Sequence, residues 1–77
     1  MKVGDLVFHK HYTDGKLIYF AVKILKMNIR NSFDGLLIES NHKYQIMQSY
    51  NFNISDYSII SNKDLLLRLN KVLIFSS

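Results

Sequence analysis

From Leu17 to Met27 the chain alternates between apolar and other residues, with Ile18, Phe20, Val22 and Ile24 forming one apolar row. No Gly, Pro, Asn or Asp interrupts this stretch. A period of two over this length predicts a strand with one face on a core. At about 3.3 Å per residue it spans roughly 36 Å, about twice an ordinary strand. The alternation changes phase near the end, where Leu25 and Met27 are apolar and Lys26 is not. A one-residue change of phase predicts a bulge or sharp bend, and a bent strand can serve both halves of a small barrel.

The other elements arrange themselves around this strand. Residues 2–10 predict a first strand opened by a turn at Gly4-Asp5. Both of its parities are apolar, Val3 and Val7 against Leu6 and Phe8, so periodicity does not choose its inner face. Asp14-Gly15 predicts a tight antiparallel hairpin, because this pair adopts positive φ readily. A polar loop is expected over 28–35 around a second Asp-Gly, then a third strand over 36–40. A fourth strand is expected over 43–49 with Tyr44 and Ile46 facing in. An irregular stretch, with room for a 3₁₀ turn, follows over 51–56, then a short fifth strand over 57–60.

The pattern then lengthens to a helical period. Leu65, Leu69, Val72 and Leu73 share one face, with Leu66 at its border, and Lys63, Asp64, Arg68 and Lys71 lie opposite. Ser61 with Asp64 three residues on is a weak form of the cap that opens a helix. The expected helix runs over 62–73. Leu67, Ile74 and Phe75 fall outside its stripe and mark a protein-interaction surface, unless the end reverts to strand. The fold class is mainly β, five strands with a C-terminal helix, in a single domain: 1–60 the β unit, 61–77 the helical extension.

Composition narrows the function classes. The chain has 77 residues and is 48% hydrophobic, enough for one small core. It has no cysteine, which excludes disulfides and thiolate metal sites and fits a reducing, cytoplasmic setting. The start carries no clean apolar stretch of the signal-peptide kind, and no apolar run reaches the roughly 18 residues of a membrane span. With so short a chain, a homo-oligomer is compatible with the pattern.

No arrangement of residues points to catalysis. Asp14 and Asp34 are accounted for by turns, Asp5 by the strand opening and Asp64 by the cap. No nucleophile elbow or phosphate loop is present. His9 and His11 share a side of an extended segment and, with His42, are the one candidate metal set. They lack a carboxylate or cysteine at helpful spacing, so surface histidines are the reading and neither metal nor cofactor is expected. The net charge of +4 permits nucleic acid without requiring it. Lys10, Lys16, Lys23, Lys26 and Arg30 gather in the first half, with Tyr19 among them on the outward parity of the long strand. Cations beside rings suit single-stranded nucleic acid, so these six are the candidate nucleic-acid-binding residues. Tyr44, Tyr50, Phe52 and Tyr57 form a second aromatic group, able to line a groove or fill a core.

Three segments carry a resemblance: Val3-Gly4-Asp5-Leu6-Val7, Ala21-Val22-Lys23-Ile24, and Ile54-Ser55-Asp56-Tyr57-Ser58-Ile59-Ile60. With the order of elements, they resemble the SH3-like small-barrel proteins of tailed phages over residues 1–60. The chain departs from that pattern in lacking a third-strand tryptophan and a Gly-x-Gly first hairpin, and in adding the leucine-rich tail. The resemblance implies a five-stranded small barrel and a non-enzymatic binding role, in the host cytoplasm or the virion. The partner is either nucleic acid or protein. In the latter case the chain is a virion assembly component or an inhibitor of a host protein.

Overall fold

A computed structural model describes the backbone of residues 1–76 and the side chains of residues 1–73. Five antiparallel strands form one sheet: β1 Leu6–Thr13, β2 Lys16–Met27, β3 Ser32–Ser40, β4 Ser49–Asn53 and β5 Ser58–Ile59. Their spatial order is β4-β3-β2-β1-β5. A 3₁₀ turn, Ile54–Asp56, carries the chain from one edge of the sheet to the other, and helix α1, Lys63–Ser76, follows.

The first hairpin forms where Asp14-Gly15 predicts it. Both residues have positive φ, 51° and 75°, and Thr13 pairs with Lys16 across the two-residue turn. The Gly4-Asp5 opening is likewise a turn: Gly4 has φ 93°, and the Lys2 N–H donates to Asp5 Oδ2 at 2.9 Å.

β2 bends as its change of phase requires. Drawn straight, its 12 residues would run about 40 Å, yet the molecule's longest extent is 34 Å. Pairing with β3 slips between Ile24 and Lys26, leaving Leu25 as a bulge, and again opposite Ala21 and Val22, leaving Ile38 as the extra residue. After the first bulge the inward parity passes from Ile24 to Met27, which packs on the same cluster.

The bends allow one sheet to bury both faces. On one face Val7, Phe20, Val22, Ile24, Phe33, Leu37 and Tyr57 form the first core. On the other, Leu6, Ala21, Ile38 and Ile60 pack against Leu69 of α1, with Leu65, Leu66, Val72 and Leu73 around it. The helical stripe thus seats as its spacing predicts. Its N-cap is Asn62 rather than Ser61: Asn62 Oδ1 accepts from the Leu65 N–H at 3.1 Å. The backbone stays helical through 72–75, so the tail does not return to strand.

Several expectations are corrected. No pairing joins β4 to β5, so the sheet keeps two edges and is not a closed barrel. The polar loop after β2 ends at Asn31, and Asp34-Gly35 lies inside β3 because Phe33 is drawn into the core. Residues 43–47 are not a strand, and Tyr44 and Ile46 are exposed. The fourth strand lies later, at Ser49–Asn53, where Tyr50 and Phe52 turn inward on alternate positions.

Candidate nucleic-acid interface

The six residues expected on a basic–aromatic strand face do not form one. α1 covers that face of β2 through Ala21 and its neighbours. Tyr19 is half-buried beside Phe8, with ring centroids 6.1 Å apart, and its hydroxyl donates to Glu39 Oε1 at 3.1 Å. Burial first, then the Glu39 bond, raises the phenol above its ordinary pKa. Glu39 in turn pairs with Arg68 of α1 at 3.0 Å. Lys23 is half-buried in the groove between the sheet and Leu66, Asn70 and Leu73. Lys10 is exposed and lies across from Tyr19 in the β1–β2 register. Lys26 and Arg30 do meet, around a cleft with Asn28 and Asn51. Lys16 lies at the opposite end of β2, ten residues or about 30 Å of strand from Lys26.

Lys16 instead meets residues the strand pattern did not associate with it. Two adjoining clefts share Thr13, Ile18 and His42. One is also lined by Lys16, Lys43 and Asp14, the other by His11, Phe20 and Tyr44. The β1–β2 turn supplies one wall and the loop over 41–48 the other.

Polar contacts hold that loop. The Asn41 side chain imitates a further residue of strand: its Oδ1 accepts from the Tyr19 N–H at 3.0 Å, and its Nδ2 donates to the Leu17 carbonyl at 2.7 Å. The Ser40 hydroxyl accepts from the His42 N–H at 3.1 Å, and the Tyr50 hydroxyl accepts from the Gln45 N–H at 3.1 Å. At the far end the Met47 N–H donates to the Leu37 carbonyl, with Met47 at φ 66°. These bonds root the loop beside the start of β2 and bring His42, Lys43 and Tyr44 to the hairpin.

Phe20 and Tyr44, which line the second cleft, belong to a closed circuit of rings. His9, Tyr57, Phe52, Tyr50, Tyr44 and Phe20 follow one another with centroids 5.2–6.1 Å apart, and Phe20 returns to His9. Most of these contacts are tilted or edge-on, the arrangements aromatic pairs favour. Tyr57 is buried, and that burial, with the neighbouring Asp56 charge, keeps its phenol neutral. Tyr44 is 49% exposed, and its ring stands 5.3 Å from that of exposed His42. The circuit therefore has a filled side and an open side. The open side, at Tyr44, lines the cleft that adjoins the one lined by Lys16 and Lys43.

The second aromatic group is legible in the sequence, but nothing in the strand pattern joins Lys43, His42 and Tyr44 to Lys16. The available signal was the polarity of 41–45, which reads as a loop once Asn41-His42 is not forced into a turn between strands. For metal, the described residues contain no cluster of three or more His, Cys, Asp or Glu able to hold an ion. No helix among them is long and apolar enough to cross a membrane. Of the expected protein-interaction residues, Leu67 is 62% exposed on α1, whereas the side chains of Ile74 and Phe75 lie outside the described residues. Compared with protein-family models, curated proteins and solved structures, the chain matches none.

Proposed function

We propose that this chain is a non-enzymatic binding module with an SH3-like strand order, and that it holds single-stranded nucleic acid between the β1–β2 turn and the 41–48 loop. One observation carries the reading: Lys16 and Lys43 line a cleft that adjoins the exposed rings of Tyr44 and His42. Phosphates are drawn by the cations and bases stack on the rings, a combination that tolerates any sequence. The strand order, with a 3₁₀ turn before β5, supports the SH3-like part of the proposal. The resemblance in the three short segments supports a phage origin, with the host cytoplasm or the virion as the setting.

Fluorescence anisotropy with a labelled, mixed-sequence single strand tests it. Two phosphate contacts give an expected log–log salt slope of about −1.4. Lys16→Glu combined with Lys43→Glu abolishes binding. Tyr44→Ala weakens it by roughly five- to 150-fold, the loss of about 1–3 kcal/mol of stacking. Lys26→Glu with Arg30→Glu, at the far end of β2, leaves the affinity within about twofold, since charges more than a Debye length away are screened. Binding indifferent to salt sinks the proposal.

A second reading rests on the exposed Leu67. A protein-interaction module, a virion assembly component or an inhibitor of a host protein, would use this residue and the adjoining tail. It predicts a salt-insensitive oligomer or complex that Leu67→Lys disrupts, measured by light scattering.

A further inference from the structure

His9 and His11 form a relay whose direction is set by its far end. His9 Nδ1 lies 2.6 Å from the Asp56 carbonyl oxygen, and His9 Nε2 lies 3.1 Å from His11 Nδ1. A carbonyl only accepts, so His9 Nδ1 carries a hydrogen. In neutral His9 the Nε2 is then an acceptor, and His11 Nδ1–H donates to it. This leaves His11 Nε2 as the ring's one uncommitted nitrogen, on a residue that lines the cleft with His42 and Tyr44.

The relay has room for one added proton and not for two. A proton taken from water at His11 Nε2 makes an imidazolium that still donates to His9 through Nδ1. A second proton would set two N–H groups against each other across the 3.1 Å contact. Resting on the nucleic-acid reading above, we infer that His11 is a proton-dependent phosphate contact, and that the cleft takes up one proton at His11 when a phosphodiester strand binds.

The surrounding cations oppose the added proton until a phosphate is bound, which ties its uptake to binding. Lys16, Lys43 and His42, from the β1–β2 turn and the 41–48 loop, draw the phosphate, and among the described residues Asp14 in the same turn is the one carboxylate lining the clefts. Behind the dyad, Tyr57 packs on His9 as a neutral phenol. The Asp56 side chain is exposed on the 3₁₀ turn, and its backbone carbonyl is what meets His9. The imidazolium stays on β1 against Phe20, with ring centroids 6.2 Å apart, so protonation needs no rearrangement of the sheet.

Two measurements test the inference. In the free protein, ring nitrogen shifts followed by NMR between about pH 8 and 5, where histidines titrate, should show His9 as the Nδ1–H tautomer and one proton taken up by the pair. In the anisotropy assay at constant ionic strength, affinity should rise as pH falls, by up to about tenfold per pH unit, the limit for one linked proton. His11→Gln, its fold checked by circular dichroism, should lose this pH dependence and keep the salt dependence.

Salt-dependent binding with no pH dependence overturns the proton linkage and leaves the nucleic-acid reading standing. PH dependence that survives in His11→Gln, or two protons taken up by the pair, overturns the linkage as well. No binding at low salt at either end of the pH range overturns both readings.

Discussion

Gly35 lies in the middle of β3 without a positive φ, so its lack of a side chain answers to space rather than to backbone conformation. A Cβ there would overlap the Val22 side chain and stand 2.9 Å from the Phe33 ring, both fully buried. Gly35→Ala is therefore expected to lower stability by about 1–3 kcal/mol through overpacking, read as a lower denaturant midpoint at unchanged slope. The neighbouring Asp34 answers to hydrogen bonds. The Asn51 and Asn28 amides donate to its Oδ1 at 3.2 and 3.1 Å and hold its carboxyl below the usual carboxylate range. A depressed carboxylate adds stability above its unfolded value of about 4, and that contribution is lost as pH falls through the lower folded value. Urea midpoints should accordingly fall below about pH 4, and Asp34→Asn should flatten that fall. The Asp34-Gly35 dipeptide reads as a turn from sequence; the burial of Phe33 beside it and the contacts of both residues make it strand.

At the scale of elements, the strong periods were legible and the weak ones were not. β2, its bulge and the seated stripe of α1 follow from where apolar residues recur. The stretch over 43–49 alternates just as plausibly, yet Tyr44 and Ile46 are exposed. β4 follows immediately, with Tyr50 and Phe52 inward and asparagines between them. What decides between these stretches is pairing: Phe52 lies opposite Phe33, and Tyr50 opposite Gly35, whose missing side chain leaves room for the Phe33 and Phe52 rings. The helix joins the sheet through unequal contacts. Leu69 is fully buried and Leu69→Ala should cost about 2–5 kcal/mol. Arg68 is 59% exposed in its pair with Glu39, and Arg68→Ala should cost less than about 1 kcal/mol. Thermal or urea melts of the two variants check the difference; comparable losses would show that the ion pair, and not the stripe, docks the helix.

Across the whole molecule, a bent sheet with a core on each face leaves one open aromatic mouth. The mouth depends on Asn41, whose two hydrogen bonds extend the pairing of β2 past the end of β3. Asn41→Ala should cost roughly 1–2 kcal/mol of stability, about 1 kcal/mol per bond. It should also weaken oligonucleotide binding more than Lys10→Ala does, because it releases the loop that carries His42, Lys43 and Tyr44. Equal binding by Asn41→Ala and the parent would show that the loop does not shape the site. The six basic and aromatic residues that lie close in sequence are dispersed: Lys10 is exposed on β1, Lys23 lies beside α1, and Lys16 and Lys26 stand at opposite ends of β2, since side chains ten residues apart on a strand are about 30 Å apart.

The sequence by itself determined the long bent strand, the Asp14-Gly15 hairpin, the amphipathic helix and the absence of cysteine chemistry. These are properties of local period, turn conformation and composition, and each is written within a few consecutive residues. Only the tertiary structure decided which face of β2 the helix covers, which of two alternating stretches becomes β4, and which lysine stands beside which ring. Those outcomes depend on contacts between residues distant in the chain. A space over Gly35 filled by Val22, Phe33 and Phe52, or a carbonyl that orients His9 across 47 residues, leaves no mark in the local pattern.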